Sequence, residues 1–183
     1  NLSNQKLLGK INFFVDSPLA IKATEIYVKY PQYFDSAARE VIKTDKDLFD
    51  FPGLVITRTA QQSKTIARER TPKAIIAGSG MSTGGRILGH EEAYLPNPNN
   101  MILFIGYQVK GTLGRRIKDG EKIVRINGKE VEVNAFIHEI SAYSSHADQP
   151  KLINWVKNVL EKKNMPKTVF LTHCEPEASE TLA

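Results

Sequence analysis

The sequence is poor in cysteine and tryptophan, with one residue of each among 183. A single cysteine, Cys174, excludes an internal disulfide and is typical of a protein of the reducing cytoplasm. The sequence also lacks an apolar run long enough to cross a bilayer, so we expect no contact with a membrane. It contains no internal repeat and no low-complexity tract, which leaves a globular domain as the class to consider.

The charge balance is moderately basic, with a formal net charge of +5 at pH 7. Such an excess suits a polyanionic partner but is common among globular proteins, so it does not select nucleic acid by itself. Apolar residues make up 41% of the chain, which is enough to bury a core, and the length fits one domain or slightly more. Because Asn1 is not a methionine and residues 179–183 read as the first turns of a helix, we expect a piece of a longer protein.

Short apolar runs alternate with helical patterns over the first half of the chain. Strands are expected at four runs, residues 11–15, 54–57, 73–77 and 101–105. Alternating strands and helices with short connections are the pattern of a parallel sheet covered by helices, so the predicted fold class is α/β. Asp16 ends the first run before Ser17 and Pro18, and this position favours a helix-capping role over a catalytic one.

The pattern changes after Tyr107. Residues 127–128, Asn-Gly, predict a hairpin turn between strands at 122–126 and 131–133. A strand reaching Ala142, a helix over residues 149–162 and a last strand at 169–172 complete the expected elements.

Two histidines follow apolar runs that we expect to be strands. His146 comes after the strand that reaches Ala142, and His173 comes after the last strand. Ligands gather at the carboxyl ends of strands in open α/β sheets, so the pair is a candidate metal or proton-transfer site. Asp148 and Glu175 follow closely, and each either orients an imidazole or caps a helix. Two histidines do not complete a zinc site, which needs three or four protein ligands.

The other histidines and the cysteine receive no chemical role. His90 is expected to be an exposed helical residue, and His138 is followed by polar sequence. Cys174 adjoins His173, but neighbouring residues of a strand point in opposite directions, so we interpret Cys174 as a small packed residue.

A glycine-rich segment, residues 78–85 (Gly-Ser-Gly-Met-Ser-Thr-Gly-Gly), lies between an expected strand and an expected helix. Glycines at such a place let backbone N–H groups approach an anion at a helix N-terminus. The segment is neither a Walker loop nor a dinucleotide-binding fingerprint. Nearby hydroxyls and Arg86 favour phosphate contact slightly over a plain flexible turn.

A second polar segment, residues 106–116, combines an aromatic side chain, an amide, glycines and three cations. Rings that stack on bases and cations that meet phosphates suit single-stranded nucleic acid. On these residues alone, a tight turn with solvated charges is the simpler interpretation.

Five motifs occur in a fixed order and together resemble one family. They are residues 16–20 (DSPLA), 79–85 (SGMSTGG), 106–108 with 111–115 (GYQ, GTLGR), 144–148 (SSHAD) and 171–175 (LTHCE). In this order they closely resemble the β-CASP branch of the metallo-β-lactamase superfamily. That branch contains RNA-processing nucleases such as the endonuclease subunit of the eukaryotic cleavage and polyadenylation machinery and its prokaryotic relatives.

The resemblance implies a parallel-sheet β-CASP domain with helices on both faces and a partial metallo-β-lactamase segment. Residues 1–135 look like the β-CASP domain without its extreme N-terminal part. Residues 136–183 look like an incomplete return into the metallo-β-lactamase domain. His146 matches the family's general acid, and His173 matches a ligand of one of two zinc ions.

The resemblance also assigns RNA contacts to the two polar segments. The predicted phosphate or RNA contacts are Ser79, Gly80, Ser82, Thr83, Gly84, Gly85, Tyr107, Gln108, Thr112 and Arg115. Asp148 and Glu175 are candidates to orient the histidines. Single-stranded RNA is the implied partner, and a homodimer of the full-length protein is left open.

The sequence departs from the family in small ways and by one large absence. Ser145 stands where relatives often have alanine, and Cys174 where they usually have glycine. The remaining zinc ligands are missing and are expected N-terminal to this chain, so we expect the chain alone not to cleave RNA. A non-catalytic RNA-binding or assembly module is the alternative, and a nucleotide-binding domain that uses residues 78–85 is a weaker one.

Overall fold

The computed structural model describes residues 11–44, 49–140, 146–160 and 167–182. The chain divides into two compact units, Asn1–Ser141 and Ala142–Ala183, which are described separately. None of the helices in the described ranges is long and apolar enough to cross a membrane.

The first sheet of the larger unit has three parallel strands. These are β1 (Asn12–Val15), β2 (Leu54–Ile56) and β3 (Lys73–Ile76), in the order β2-β1-β3. Val15 lies opposite Ile56 on one side and Ile76 on the other, so the three strands end at the same level. The next residues therefore meet at one edge of the sheet, and the first three predicted strands are confirmed.

Helices in the larger unit follow the predicted order. They are α1 (Pro18–Lys29), α2 (Ser36–Thr44), α3 (Ala60–Thr65), α4 (Ile87–Tyr94) and α5 (Leu113–Lys118), with short 3₁₀ turns at Pro31–Tyr33 and Ile66–Arg68. Hydroxyl side chains begin three of them. Ser17 accepts from the Ala20 N–H, Thr59 forms a capping box with Gln62, and Thr112 accepts from the Arg115 N–H.

The remaining strands of this unit form two further sheets. They are β4 (Met101–Ile105), the hairpin strands β5 (Ile123–Ile126) and β6 (Lys129–Glu132), and β7 (Phe136–Ile140). β4 pairs in parallel with β7, and β5 with β6 in antiparallel fashion around the predicted Asn127–Gly128 turn. The α/β class is therefore confirmed. Among the described strands β4 does not continue the first sheet, which corrects the single parallel series expected from the sequence.

The main core of the unit lies between α4, α5, the hairpin and β4. It contains Leu95, Phe104, Ile117, Val124, Ile126, Val131, Val133 and Ala135, all buried. Val124 and Ile126 alternate with exposed neighbours along β5, so the hairpin buries one face. Each large side chain buried here contributes about 1.5–3 kcal/mol.

The smaller unit contains two described helices, α6 (Gln149–Leu160) and α7 (Pro176–Leu182). The predicted helix over 149–162 is confirmed up to Leu160, and residues 161–162 lie outside the described ranges. The strand predicted at 169–172 is wrong, because those residues are irregular and exposed. Apolar composition alone does not make a strand, since its backbone groups need a hydrogen-bonding neighbour. The end of the strand expected to reach Ala142 lies outside the described residues.

Candidate functional site

The glycine loop, residues 78–85, follows β3 at the carboxyl edge of the first sheet and leads into α4. Backbone bonds close it, from the Ser79 N–H to the Gly84 carbonyl at 3.2 Å and from the Ile87 N–H to the Gly78 carbonyl at 3.3 Å. The hydroxyls of Ser79 and Thr83 lie 2.9 Å apart. Because Gly80, Thr83 and Gly85 are exposed, the loop presents backbone and hydroxyl groups to solvent.

Ser82 lies beneath the loop, with its backbone in the left-handed region at φ 54°. Its hydroxyl donates to Oε1 of Glu91, and both side chains are buried. Burial raises the pKa of Glu91 to about 7, even though the Ser82 hydrogen bond acts in the opposite direction. The other oxygen, Oε2, is buried and accepts no hydrogen bond within the described part of the chain. Sequence reasoning missed this pair, since an acidic residue in the middle of a helix usually faces solvent.

A buried carboxylate, Asp16, lies beside the loop and joins four elements. Its Oδ1 accepts from the Thr57 hydroxyl and from Nη1 of Arg86, both at 2.5 Å. Its Oδ2 accepts from the Ser63 hydroxyl at 2.6 Å and from Nε2 of His90 at 2.7 Å. We call these five residues the Asp16 network.

The Asp16 network corrects two predictions. Asp16 does not cap α1, because Ser17 does so and the Asp16 side chain turns into the sheet edge. His90 is not an exposed helical residue, since only 14% of its side chain is accessible. The available signal was the spacing of Arg86 and His90, four residues apart at the start of α4, which places them on one helix face.

The charge state of Asp16 follows from its partners. Burial raises its pKa, but the hydrogen bonds from Ser63, Thr57, His90 and Arg86 together outweigh burial and lower the pKa to about 2. Asp16 is therefore ionised at neutral pH, and the bonded nitrogen of His90 must carry a hydrogen.

The guanidinium of Arg86 is held by more than the Asp16 carboxylate. It also donates to the carbonyls of Thr57 and Arg58, at 2.9 and 3.1 Å. Arg86 thereby links the start of α4, directly after the glycine loop, to the end of β2.

The second polar segment, residues 106–116, packs directly on the glycine loop. Buried Gln108 donates from Nε2 to the carbonyls of Gly80 and Gly106, at 2.9 and 3.3 Å. The Gly114 N–H donates to the Met81 carbonyl at 3.1 Å. The structure therefore brings the two predicted RNA-contacting segments together, with Gln108 acting from inside as a link.

The remaining predicted residues of this segment differ in exposure. Tyr107, which precedes Gln108, exposes 54% of its surface. Thr112 caps α5, and its hydroxyl donates to the Val109 carbonyl at 2.7 Å. Arg115 pairs with both carboxylate oxygens of Asp119, at 2.8 and 2.9 Å. RNA contact by these residues and by the loop stays a prediction.

The close approach at Gly114 predicts a sensitive position. A Cβ added there would lie 2.1 Å from Oε1 of Gln108 and 3.0 Å from the Met81 carbonyl. We expect Gly114→Ala to displace Gln108 and to lower the free energy of unfolding by about 1–3 kcal/mol. Urea denaturation of the variant measures this loss.

Gly89→Ala is the matched control for Gly114→Ala. Gly89 lies inside α4, and a Cβ added there meets nothing within 4 Å. We expect this variant to gain up to about 1 kcal/mol from helix propensity. A Gly114→Ala protein as stable as the Gly89→Ala protein would show that the contact between the two segments is loose.

In the smaller unit both predicted histidines are exposed. His146 lies just before α6, and His173 adopts a left-handed backbone conformation at φ 63°. Asp148 accepts from the Lys151 N–H at 3.0 Å, so it caps α6. That backbone hydrogen bond lowers the pKa of Asp148. The carbonyl of Glu175 accepts from the first turn of α7.

The described residues do not form a metal centre by themselves. No group of three or more histidine, cysteine, aspartate or glutamate side chains in the described ranges could hold a metal ion. His173 offers an accessible imidazole, but zinc needs at least two further protein ligands. Within the described ranges, His173 therefore fits one ligand of a zinc site, and we derive no reaction step through zinc from it.

Two family models match the chain. Residues 1–117 match the family model of the Beta-Casp domain. Residues 130–183 match the model of the Zn-dependent metallo-hydrolase RNA specificity domain.

Similar full-length proteins come from bacteria and archaea. Ribonuclease TTHA0252 of Thermus thermophilus is 35% identical over 170 residues, covering 93% of this chain and 38% of that protein. The transcription termination factor FttA of Pyrococcus abyssi is 31% identical over 180 residues, covering 92% and 27%. FttA of Methanocaldococcus jannaschii is 33% identical over 162 residues, covering 84% and 25%. The chain therefore spans about a quarter to two fifths of the length of these relatives.

Proposed function

The chain belongs to the β-CASP family, and from this premise we propose that it is the RNA-contacting portion of a zinc-dependent ribonuclease. The full-length protein would hydrolyse phosphodiester bonds in RNA processing or decay, in the cytoplasm. Within it, residues 1–135 serve as the β-CASP domain and residues 136–183 return into the catalytic domain. The name of the Thermus relative, a ribonuclease, supports this reaction class.

The observation that carries the proposal is the joined pair of segments, 78–85 and 106–116. Gln108 and Gly114 connect them, so the exposed residues of the loop and the chain around exposed Tyr107 lie in one part of the unit. The loop leads into the N-terminus of α4, where N–H groups and the helix dipole favour an anion. Backbone and ring together suit a phosphate next to an unpaired base, so single-stranded RNA is the substrate we propose.

The two histidines would divide the chemistry in the full-length protein. His146 would protonate the leaving oxygen as a general acid, and His173 would supply one zinc ligand. Zinc, when bound by a complete set of ligands, lowers the pKa of coordinated water and stabilises negative charge on the phosphate oxygens. Two ions and a homodimer are further expectations for that protein.

Two histidine substitutions in the full-length protein separate these roles. We expect His146→Ala to lower the rate of RNA cleavage by about 10²–10⁴-fold while zinc content stays unchanged, because the residue acts on a proton. His173→Ala should lose zinc together with activity. Cleavage of a labelled single-stranded RNA and elemental analysis of the purified protein measure both quantities.

His138→Ala is the control, because this exposed histidine lies in β7 and has no assigned role. It should keep both zinc and activity. Loss of zinc in the His146→Ala protein would contradict the general-acid assignment. Zinc-dependent cleavage by the 183-residue chain alone would contradict the view that its site is incomplete. RNA binding without cleavage by the full-length protein would favour the assembly module.

A further inference from the structure

An exposed group of aromatic side chains lies at the end of α1, in the larger unit. We call it the aromatic platform; it consists of Tyr27, Tyr30, Tyr33 and Phe34. Tyr27 and Tyr33 expose 58% and 82% of their surfaces. Together with Ile26 these rings line an open depression of about 420 Å³, within the range of about 300–1,000 Å³ typical of small-molecule pockets.

The rings lie near one another without closing into a core. The centroids of Tyr27 and Phe34 are 6.2 Å apart with planes at 30°, and those of Tyr30 and Tyr33 are 6.4 Å apart. Pro31 begins the 3₁₀ turn that brings Tyr33 back beside Tyr30. Tyrosine combines an apolar face with a polar hydroxyl. Tyrosine rings therefore suit a hydrated interface better than leucine or phenylalanine side chains do.

Basic side chains lie on α1, the helix that carries the platform, while acidic Asp35 directly follows the platform. The Lys29 ammonium lies 5.5 Å from the centroid of the Tyr30 ring, a cation–π contact. Lys22, seven residues earlier in α1, is exposed on the same side of the helix. The acidic residue between them, Glu25, is paired with Arg58. Rings interspersed with lysines are the composition of surfaces that bind single strands.

Helix α1 connects the platform to the glycine loop. Its first turn lies at the loop, where a Cβ built on Gly78 would be 3.3 Å from the Ser17 hydroxyl oxygen. The helix has 12 residues, so its far end lies about 18 Å away. Single-strand binding sites cover roughly 4–16 nucleotides, and one strand can therefore reach from the loop to the platform.

We propose that the aromatic platform is a second contact for the same single-stranded RNA, in which Tyr27 and Tyr33 stack on unpaired bases. The inference rests on the proposed function and adds a base-stacking surface to the phosphate contacts of the glycine loop. It predicts that affinity depends on bases as well as on phosphates at the platform.

The test uses the 183-residue chain and a fluorescently labelled 12-nucleotide oligoadenylate. Replacing Tyr27 and Tyr33 together by alanine should weaken binding at least tenfold, because each stacked base contributes about 1–3 kcal/mol. Replacing both by phenylalanine keeps the rings and should keep most of the affinity. Phe170→Ala, which removes a ring as exposed as that of Tyr33 from the other unit, should bind like the wild type.

An abasic strand of the same length isolates the stacking contribution, because it keeps the phosphates. Its affinity should be lower than that of oligoadenylate and unchanged by the alanine substitutions. Equal RNA binding by the wild-type and alanine proteins, or no binding by the wild type, would overturn the inference. The inference would also be overturned if the alanine substitutions weakened binding of the abasic strand as much as binding of oligoadenylate. It would be overturned as well if sedimentation showed that these substitutions dissociate a dimer of the chain.

The inference and the proposed function fail in different ways. If the alanine variant binds RNA normally while His146→Ala still abolishes cleavage by the full-length protein, the platform is wrong and the ribonuclease stands. If stacking is observed but the full-length protein does not cleave RNA, the nuclease assignment is wrong and the platform remains an RNA-binding surface.

Discussion

Replacing Asp16 by asparagine is expected to lower the free energy of unfolding by about 3–5 kcal/mol, the usual effect of breaking a buried ion pair. The carboxylate is fully buried and accepts four hydrogen bonds from side chains just after β2, on α3, and just before and on α4. An asparagine carries no charge to balance Arg86, and its amide group directs hydrogens toward donors such as Ser63 or His90. Urea denaturation at pH 7 gives the loss directly.

Glu25→Gln is the matched control for Asp16→Asn. It also removes a carboxylate that pairs with an arginine, but in the Glu25–Arg58 pair both side chains are more than half exposed. Exposed pairs contribute about 0–1 kcal/mol, so this variant should unfold nearly as the wild type does. A loss below about 1 kcal/mol for Asp16→Asn as well would show that the network does not hold the sheet edge together.

The pH dependence gives a second measure of Asp16. Its pKa is about 2 in the folded protein against an ordinary value of 3.8. Between about pH 2 and pH 3.8, the folded state therefore binds fewer protons than the unfolded state. The stabilisation by Asp16 is fully present above pH 3.8 and is lost as the pH falls through about 2. The asparagine variant should lack this acid-induced loss.

Local patterns predicted caps, turns and strand alternation, because these features depend on residues that are neighbours in the chain. Ser17 and Pro18 at the start of α1, the Asn127–Gly128 turn and the alternation in β5 all appear where the sequence indicates them. Residues 169–172 show the limit of such patterns, because an apolar run becomes a strand only when another strand accepts its hydrogen bonds.

The candidate site was predicted in part. The motifs placed residues 78–85 and 106–116 at one site, and the structure brings them together through Gln108. The Asp16 network joins residues up to 74 positions apart, and no local pattern contains that information. Glu91 was missed for the same reason, since its burial results from the loop that folds over it.

Glu91→Gln is expected to remove a pH dependence of stability of about 3 kcal/mol. Burial raises the pKa of the folded-state carboxyl to about 7, against 4.5 as its ordinary value. Between these values the folded state holds a proton that the unfolded state has released. The free energy of unfolding therefore falls as pH rises from about 4.5 to 7, by about 1.4 kcal/mol per unit of pKa difference, and stays low above pH 7.

Glutamine preserves the acceptor for the Ser82 hydroxyl and cannot ionise, so the variant should be more stable than the wild type at pH 8 and similar to it near pH 4.5. Glu92→Gln is the control at the adjacent residue, since hydrogen bonding to Lys129 lowers the pKa of Glu92 and its removal should leave the decline intact. Urea denaturation of the three proteins from pH 4.5 to 8 measures the differences. A constant offset between wild type and Glu91→Gln would contradict a neutral Glu91. A difference that grows with pH would show that the glycine loop rests on a protonated carboxyl, which ionises near neutral pH beneath the surface proposed to bind phosphate.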